Sequence, residues 1–316
     1  MGNFGEMRLM RLRNDAQTLN LIKTQLADKT FVFIPGSIYR KILIDFGATL
    51  DDLSALECGS IHRITSLDPD PAMYFRRVAI HRMLLTPDDD NSHDESHHRN
   101  SMKITEAGCK GLTQINENEI ADEVEAFSRR SGTRYGSMPP LEYRRSSVPV
   151  AMAKLNAFMI PSTFHAMPNI SNDSNTVIND QLLIRINKQS DMEESPSREG
   201  VHQDGCEISS VTLVGKSKIT GGESRLWPLS TPAGNYNDDM FESSTGPYTK
   251  KKCLFDFPLC SNWDTIYFND RVLKHEARPF DGERPAYRDV IVNFVRKPLS
   301  DGKDMKLENG EIISIE

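Results

Sequence analysis

The sequence predicts an α+β protein, with amphipathic helices gathered in its first half and an antiparallel β-sandwich or barrel in its second. Three observations carry this reading. Apolar residues recur at helical spacing in several segments before residue 160, short β-type runs crowd the chain after it, and polar, turn-rich stretches separate those runs. The resulting plan is a mixed helix/strand supporting region over 1–160, a β-rich core over 161–300 and a C-terminal tail over 301–316, all within one compact domain.

Asn14 is placed to cap a first helix whose Ala16, Leu19, Ile22 and Leu26 share one face. Residues 30–34 (TFVFI) form a β-type run halted by Pro35-Gly36, and Ser37 opens a second amphipathic helix carrying Ile38, Ile42, Leu43 and Phe46. Residues 116–130 read as a third, acidic at its start and ending in Arg129 and Arg130, as the helix dipole favours. Ser147 with Pro149 starts a fourth that runs through Leu155 and Phe158. The β-type runs that follow are 181–187, 208–215, 224–228, 253–259, 264–270 and 289–295.

Composition narrows the function. In 316 residues, 38 Lys and Arg stand against 45 Asp and Glu, a net charge of −7, which argues against nucleic acid as the main partner. No apolar run approaches the roughly 18 to 20 residues that cross a bilayer, so no membrane partner is expected. The first residues lack the apolar stretch of a secretory signal, and Glu6 stands where a myristoylation signal after Gly2 requires Ser or Thr. The five cysteines (58, 109, 206, 253 and 260) are odd in number, widely spaced and without a CxxC pair, as expected of a cytoplasmic protein.

Three polar stretches interrupt the plan: 88–101, 188–199 and the Gly/Ser/Asn-rich 229–252. The last two flank the most informative segment, and loops of such length are often functional. They are expected to act as lids.

That segment is REGVHQDGCEISSVTLVGKSKITGGESRLW, residues 198–227. His202 and Asp204 are two apart, so on an extended chain both project to one face while Gln203 turns away; Gly205 then lets the chain bend. His275, in LKHEARPF, supplies a third candidate ligand. Two His and one carboxylate on one side of an ion form the facial triad of non-haem Fe(II) oxygenases, with the remaining positions open. A closed zinc site would want four protein ligands. Arg288 follows His275 by thirteen residues across Asp281-Gly282, a hairpin signal whose symmetric reversal would bring the two together. A guanidinium beside an open iron site matches a carboxylate bidentately, each such charge-assisted bond contributing about 1.5 to 3 kcal/mol. Together these describe a site for a 2-oxo dicarboxylate.

The stretch VHQDG…GGESR…LKH…YRDVIV resembles the 2-oxoglutarate-Fe(II) dioxygenases of the L-isoleucine 4-hydroxylase type, which oxidise free amino acids. The resemblance covers residues 181–297. It implies a double-stranded β-helix (jelly-roll) core with helices packed on one side. It also implies His202, Asp204 and His275 as iron ligands, Arg288 as partner of the distal 2-oxoglutarate carboxylate, and Fe(II), 2-oxoglutarate and O2 as the reaction's requirements. In such folds the last two core strands lie in facing sheets, which qualifies the hairpin expectation. Asp204 favours hydroxylation over halogenation, since related halogenases lack this carboxylate. Desaturation and ring closure stay open.

Each residue has a plainer alternative. A His-x-Asp pair alone is common on surfaces, and only its order and spacing with Gly205, His275 and Arg288 make it informative. His93, His97 and His98 read as solvated, His165 as a turn or rim residue, and His62 and His81 as half-buried. Trp227 and Tyr267 read as core. Arg185 shares a strand face with Leu183 and Asn187. It is a candidate for the substrate carboxylate, with a scaffold salt bridge as the competing reading. The expected partner is a small-molecule substrate, a free amino acid or a derivative of one, oxidised at an unactivated C–H bond. The alternatives are a dioxygenase acting on a peptide or protein side chain, and a non-catalytic jelly-roll binding protein.

Overall fold

Leu19, Ile22 and Leu26 line one side of helix α1 (Asp15–Lys29), and the chain turns directly into strand β1 (Phe31–Ile34). Helix α2 (Gly36–Asp45) buries Tyr39, Ile42 and Leu43. Helix α3 (Leu50–Glu57), which the sequence reading did not single out, is capped by the Thr49 hydroxyl accepting the Asp52 N–H. Strands β2 (Pro69–Asp70), β3 (Met73–Pro87), β4 (Met102–Ala107), β5 (Gly111–Thr113) and β6 (Thr133–Tyr135) follow, then helices α4 (Leu141–Arg145) and α5 (Ser147–Met159). The rest is strand β7 (Val177–Asn187), β8 (Ile208–Gly221), β9 (Ser224–Pro228), helix α6 (Asp238–Glu242), and strands β10 (Phe255–Phe257), β11 (Thr265–Phe268), β12 (Leu273–Ala277), β13 (Phe280–Arg296) and β14 (Ile313–Ser314). The computed structural model describes residues 15–58, 69–70, 73–87, 102–107, 111–113, 133–135, 139–160, 176–188, 200–297 and 313–314. The helix expected over 116–130, the loops 88–101 and 189–199, and His62, His93, His97, His98 and His165 lie outside them.

The strands form a major sheet in the order β1-β11-β8-β13-β7-β3-β4-β14, with β2 on β3, and a minor sheet β10-β9-β12. Every pairing is antiparallel. This is the jelly-roll fold with helices on one side of the major sheet. The supporting region does more than support: β1, β3 and β4 are strands of the major sheet itself. No helix among the described residues is long and apolar enough to cross a membrane.

Alternation along the strands gives the major sheet two distinct faces. One carries Leu183, Tyr267, Ile291 and Val295 into a core shared with Leu26, Tyr39, Leu43, Met152 and Leu155 of the helices. A chain of buried polar groups crosses it: Tyr267 donates to Asn156, Asn156 to Asn179, Asn179 to Asn293 and Asn293 to Ser210. The opposite, inner face carries Ile266 and Phe268 against Leu226 and Leu273 of the minor sheet, and Leu213 and Val290 against Leu259.

Three expectations are corrected. Asp281-Gly282 makes no hairpin: these residues belong to β13, pairing with Thr220 and Ile219 of β8 before a break in register up to Tyr287. The chain crosses between sheets just before Phe280, so His275 and Arg288 lie in facing sheets, as the jelly roll requires. Residues 229–252 form a strap rather than a lid. Phe241 and Tyr248 pack with Trp227 and Val201, and because Leu226 and His275 face inward, this cluster covers the outer face of the minor sheet. Finally, His81 is fully buried, because β3 is an interior strand between β7 and β4 with Tyr143 against its ring.

Candidate active site

Two distant stretches of chain meet as a short antiparallel pair. The His202 N–H donates to the His275 carbonyl at 2.9 Å and the His275 N–H to the His202 carbonyl at 2.8 Å. This pairing sets the imidazoles side by side, ring centroids 4.1 Å apart. Val201 faces the strap cluster, so alternation turns His202 and Asp204 inward, as their spacing predicts. Gly205, at φ +83°, turns the chain immediately afterwards in a conformation that L side chains avoid.

One ligand atom from each of His202, Asp204 and His275 falls within 4.8 Å of the others. Asp204 Oδ2 lies 3.1 Å from His275 Nε2, and Oδ1 lies 3.6 Å from His202 Nε2. The outer ring nitrogens point away from this spot. His202 Nδ1 donates to the Gly200 carbonyl at 2.6 Å, and His275 Nδ1 points at Asp270 Oδ1, 3.6 Å away. Both rings therefore direct Nε2 to the common point.

The electrostatics agree. Burial would raise Asp204, but the two imidazoles hold it well below the usual carboxylate range. Burial likewise disfavours charge on His275, and the Asp204 carboxylate outweighs it, lifting the ring to about 9. A field that draws a proton onto His275 is one that draws a cation to the same point. Two neutral nitrogens and one carboxylate fit a divalent first-row metal, and their placement on one side leaves other coordination positions open.

Arg288 comes from the facing sheet. It pairs across β13/β7 with Ile186, on the inner face, and its Cδ would lie 3.9 Å from a Cβ at Gly222. The glycine, at φ +75° in the turn between β8 and β9, leaves room for the side chain. Arg288 is 3% exposed, and its Nη2 is buried with no hydrogen-bond partner among the described residues. Burial pushes it down to about 10, offset in part by Glu223, which leaves it charged at neutral pH. A buried guanidinium nitrogen without a partner among the described residues asks for an anion.

Arg185 has no such vacancy. Its Nε and Nη2 hold Asp289 bidentately at 2.6 and 2.5 Å. The pair lies on the helix-facing side of the sheet with Leu183, away from Arg288. The structure does not bring Arg185 to the triad. Trp227 and Tyr267 are buried, in the strap cluster and the helix-facing core.

One residue at the site escaped sequence reasoning. Asp270, fully buried, accepts backbone N–H groups of Asp204, Gly205 and Cys206 through Oδ2, at 2.8, 2.6 and 3.3 Å. The only local signal is the acid of Asn269-Asp270 ahead of β12, which resembles any turn. Cys206 is inert: burial, then the Asp270 charge, push its thiol well above the ordinary range.

Residues 159–294 match the family model of the 2OG-Fe dioxygenases. No curated protein matches the chain. Among solved structures, the chain is similar to TqaL, described as an Fe(II)/α-ketoglutarate-dependent dioxygenase, at 16% identity and TM-score 0.66 over 95% of both chains. It is also similar to a bsmA homolog from Methylobium petroleophilum, at 15% identity and TM-score 0.60 over 88% of this chain and 93% of that one. A third, IDO from Bacillus thuringiensis, gives 13% and 0.56 over 88% and 99%. At these identities the likeness establishes the fold. The match over residues 159–294, with the His-Asp-His triad inside it, marks an oxidoreductase that uses Fe(II), 2-oxoglutarate and O2.

Proposed function

We propose that the enzyme oxidises an unactivated C–H bond of a free amino acid or an amino-acid-derived small molecule, with His202, Asp204 and His275 as iron ligands and Arg288 as the anchor of the distal 2-oxoglutarate carboxylate. One observation carries the reading: three ligand atoms converge in a barrel whose facing wall presents a buried arginine with an unanswered Nη2. The amino-acid substrate class rests on the likeness of the VHQDG, GGESR, LKH and YRDVIV stretches to the L-isoleucine 4-hydroxylase type.

Iron and 2-oxoglutarate, when bound, supply the oxidising power from O2, with succinate and CO2 as the co-products. The chain supplies geometry. His202 gives its Nδ1 proton to the Gly200 carbonyl, which directs Nε2 to Asp204, and Asp204 adds the single negative charge of the ligand set. Arg288 would hold the distal carboxylate of the keto-acid. Ile266, Phe268, Leu226 and Leu273 wall the interior with apolar surface, which excludes water and strengthens every charge interaction inside.

The test is succinate release from 2-oxoglutarate with Fe(II), first alone and then with a panel of free amino acids and of short peptides. Stimulation by a free amino acid is the expected result, with product masses locating the added oxygen. Stimulation by peptides alone would assign the enzyme to side chains of larger partners instead. His202→Ala should reduce turnover at least 100-fold with an unchanged circular dichroism spectrum. Full activity in that variant would refute the ligand assignment.

A further inference from the structure

The metal centre is assembled from two segments some seventy residues apart, and a third residue touches both. Asp270 closes the turn between β11 and β12. Its Oδ2 gathers three successive backbone N–H groups, those of Asp204, Gly205 and Cys206, and so fixes the turn that aims the Asp204 carboxylate. Its main-chain carbonyl accepts the Gln203 side-chain amide from the same stretch. Among the described residues its Oδ1 has no hydrogen-bond partner; it faces His275 Nδ1 at 3.6 Å, an atom equally without a hydrogen bond among them. Asp270 is fully buried, so no water competes for either contact from bulk solvent.

The geometry points to Asp270 as the positioning residue of this centre, holding the Asp204 turn with one oxygen and facing the outer edge of the His275 ring with the other. The inference rests on the triad reading above and deepens it. A carboxylate behind a ligating imidazole orients the ring and makes it a better donor, and Nε2 is the nitrogen that His275 turns to Asp204. The two functions need the two oxygens of one side chain: a hydroxyl or an amide can satisfy one side only.

Asp270→Asn separates the two roles. Its amide oxygen can still accept from the three N–H donors, while the negative charge facing His275 is lost. The full-length variant should therefore fold normally, with a melting temperature within a few degrees of the wild type, while its Kd for Mn2+, measured by titration calorimetry, weakens about 10- to 100-fold. Amide hydrogen exchange at Asp204, Gly205 and Cys206 in the metal-free protein gives an independent readout: Asp270→Ala, which removes the acceptor, should speed it about tenfold or more, and Asp270→Asn should not. Unchanged exchange in Asp270→Ala, or an unchanged Mn2+ affinity in Asp270→Asn, overturns the assignment whatever the melting temperature. A wild type that fails to bind Mn2+ counts against the triad, while the exchange rates still decide the role of Asp270.

Discussion

Two arginines stand on neighbouring strands of the major sheet, each 3% exposed, and differ in what answers their charge. Arg185 of β7 faces the helices and is held by Asp289 through two short hydrogen bonds. Arg288 of β13 faces the barrel interior with a buried Nη2 that no described residue satisfies, and Glu223 partly offsets its charge. Burial alone therefore does not mark a binding residue. A buried charge that the fold has already paired contributes to the scaffold, whereas one left open keeps its desolvation cost until a ligand offsets it.

The largest effect should come from the paired arginine. Arg185→Met leaves Asp289 buried without its partner and should destabilise the fold by about 3 to 5 kcal/mol, read as the denaturant midpoint. The Michaelis constant for 2-oxoglutarate in the protein that remains folded should not move. Adding Asp289→Leu should recover most of the loss, since replacing both partners by apolar groups removes the orphan. A rise in the Michaelis constant for substrate with stability intact would restore Arg185 as a substrate residue.

Arg288→Met should behave in the opposite sense. Melting temperature should hold or rise, because a desolvated charge is gone, while 2-oxoglutarate binding weakens by about 10- to 100-fold, the equivalent of a charge-assisted hydrogen bond of about 1.5 to 3 kcal/mol. Binding measured by calorimetry with Mn2+ in place of iron checks this without turnover. Loss of stability with unaltered affinity would erase the contrast between the two residues.

The smallest effect sharpens the contrast. Glu223→Gln removes the carboxylate that partly offsets Arg288, so 2-oxoglutarate should bind slightly tighter, about two- to fivefold, an electrostatic gain below about 1 kcal/mol. The gain should fade as salt is raised. A weaker affinity would mean that Glu223 orients the guanidinium instead of competing with its ligand.

The shared inward turn of His202 and Asp204 was legible because strand alternation is rigid: residues two apart share a face whatever the surrounding fold. His275, by contrast, entered only as the third ligand a metal needs and through the family resemblance. The helix-forming segments were legible for a similar reason, since Leu19, Ile22 and Leu26 repeat at the period of the element that buries them. What escaped depends on tertiary pairing. Strand β3 (Met73–Pro87) mixes Arg76, Arg77, His81 and Arg82 with apolar residues, and only pairing on both edges makes it a strand. Asp281-Gly282 carries a true turn signal that a break in register absorbs within β13. Asp270 acts across 64 to 66 residues of chain, where no local spacing rule reaches. Arg185 read ambiguously for the same reason: its partner lies 104 residues on.

The strap of residues 229–252 reaches the proposed iron site from behind. Glu276, next to His275 in β12, accepts hydrogen bonds from Trp227 at 3.0 Å and from Tyr248 of the strap at 2.6 Å. The strand bearing one imidazole is thus clamped from behind by a segment packed on the outer face of the minor sheet. Grafting, trimming or cleaving that segment would loosen the strand that carries His275, so swapping it between related proteins cannot be treated as a neutral exchange of surface.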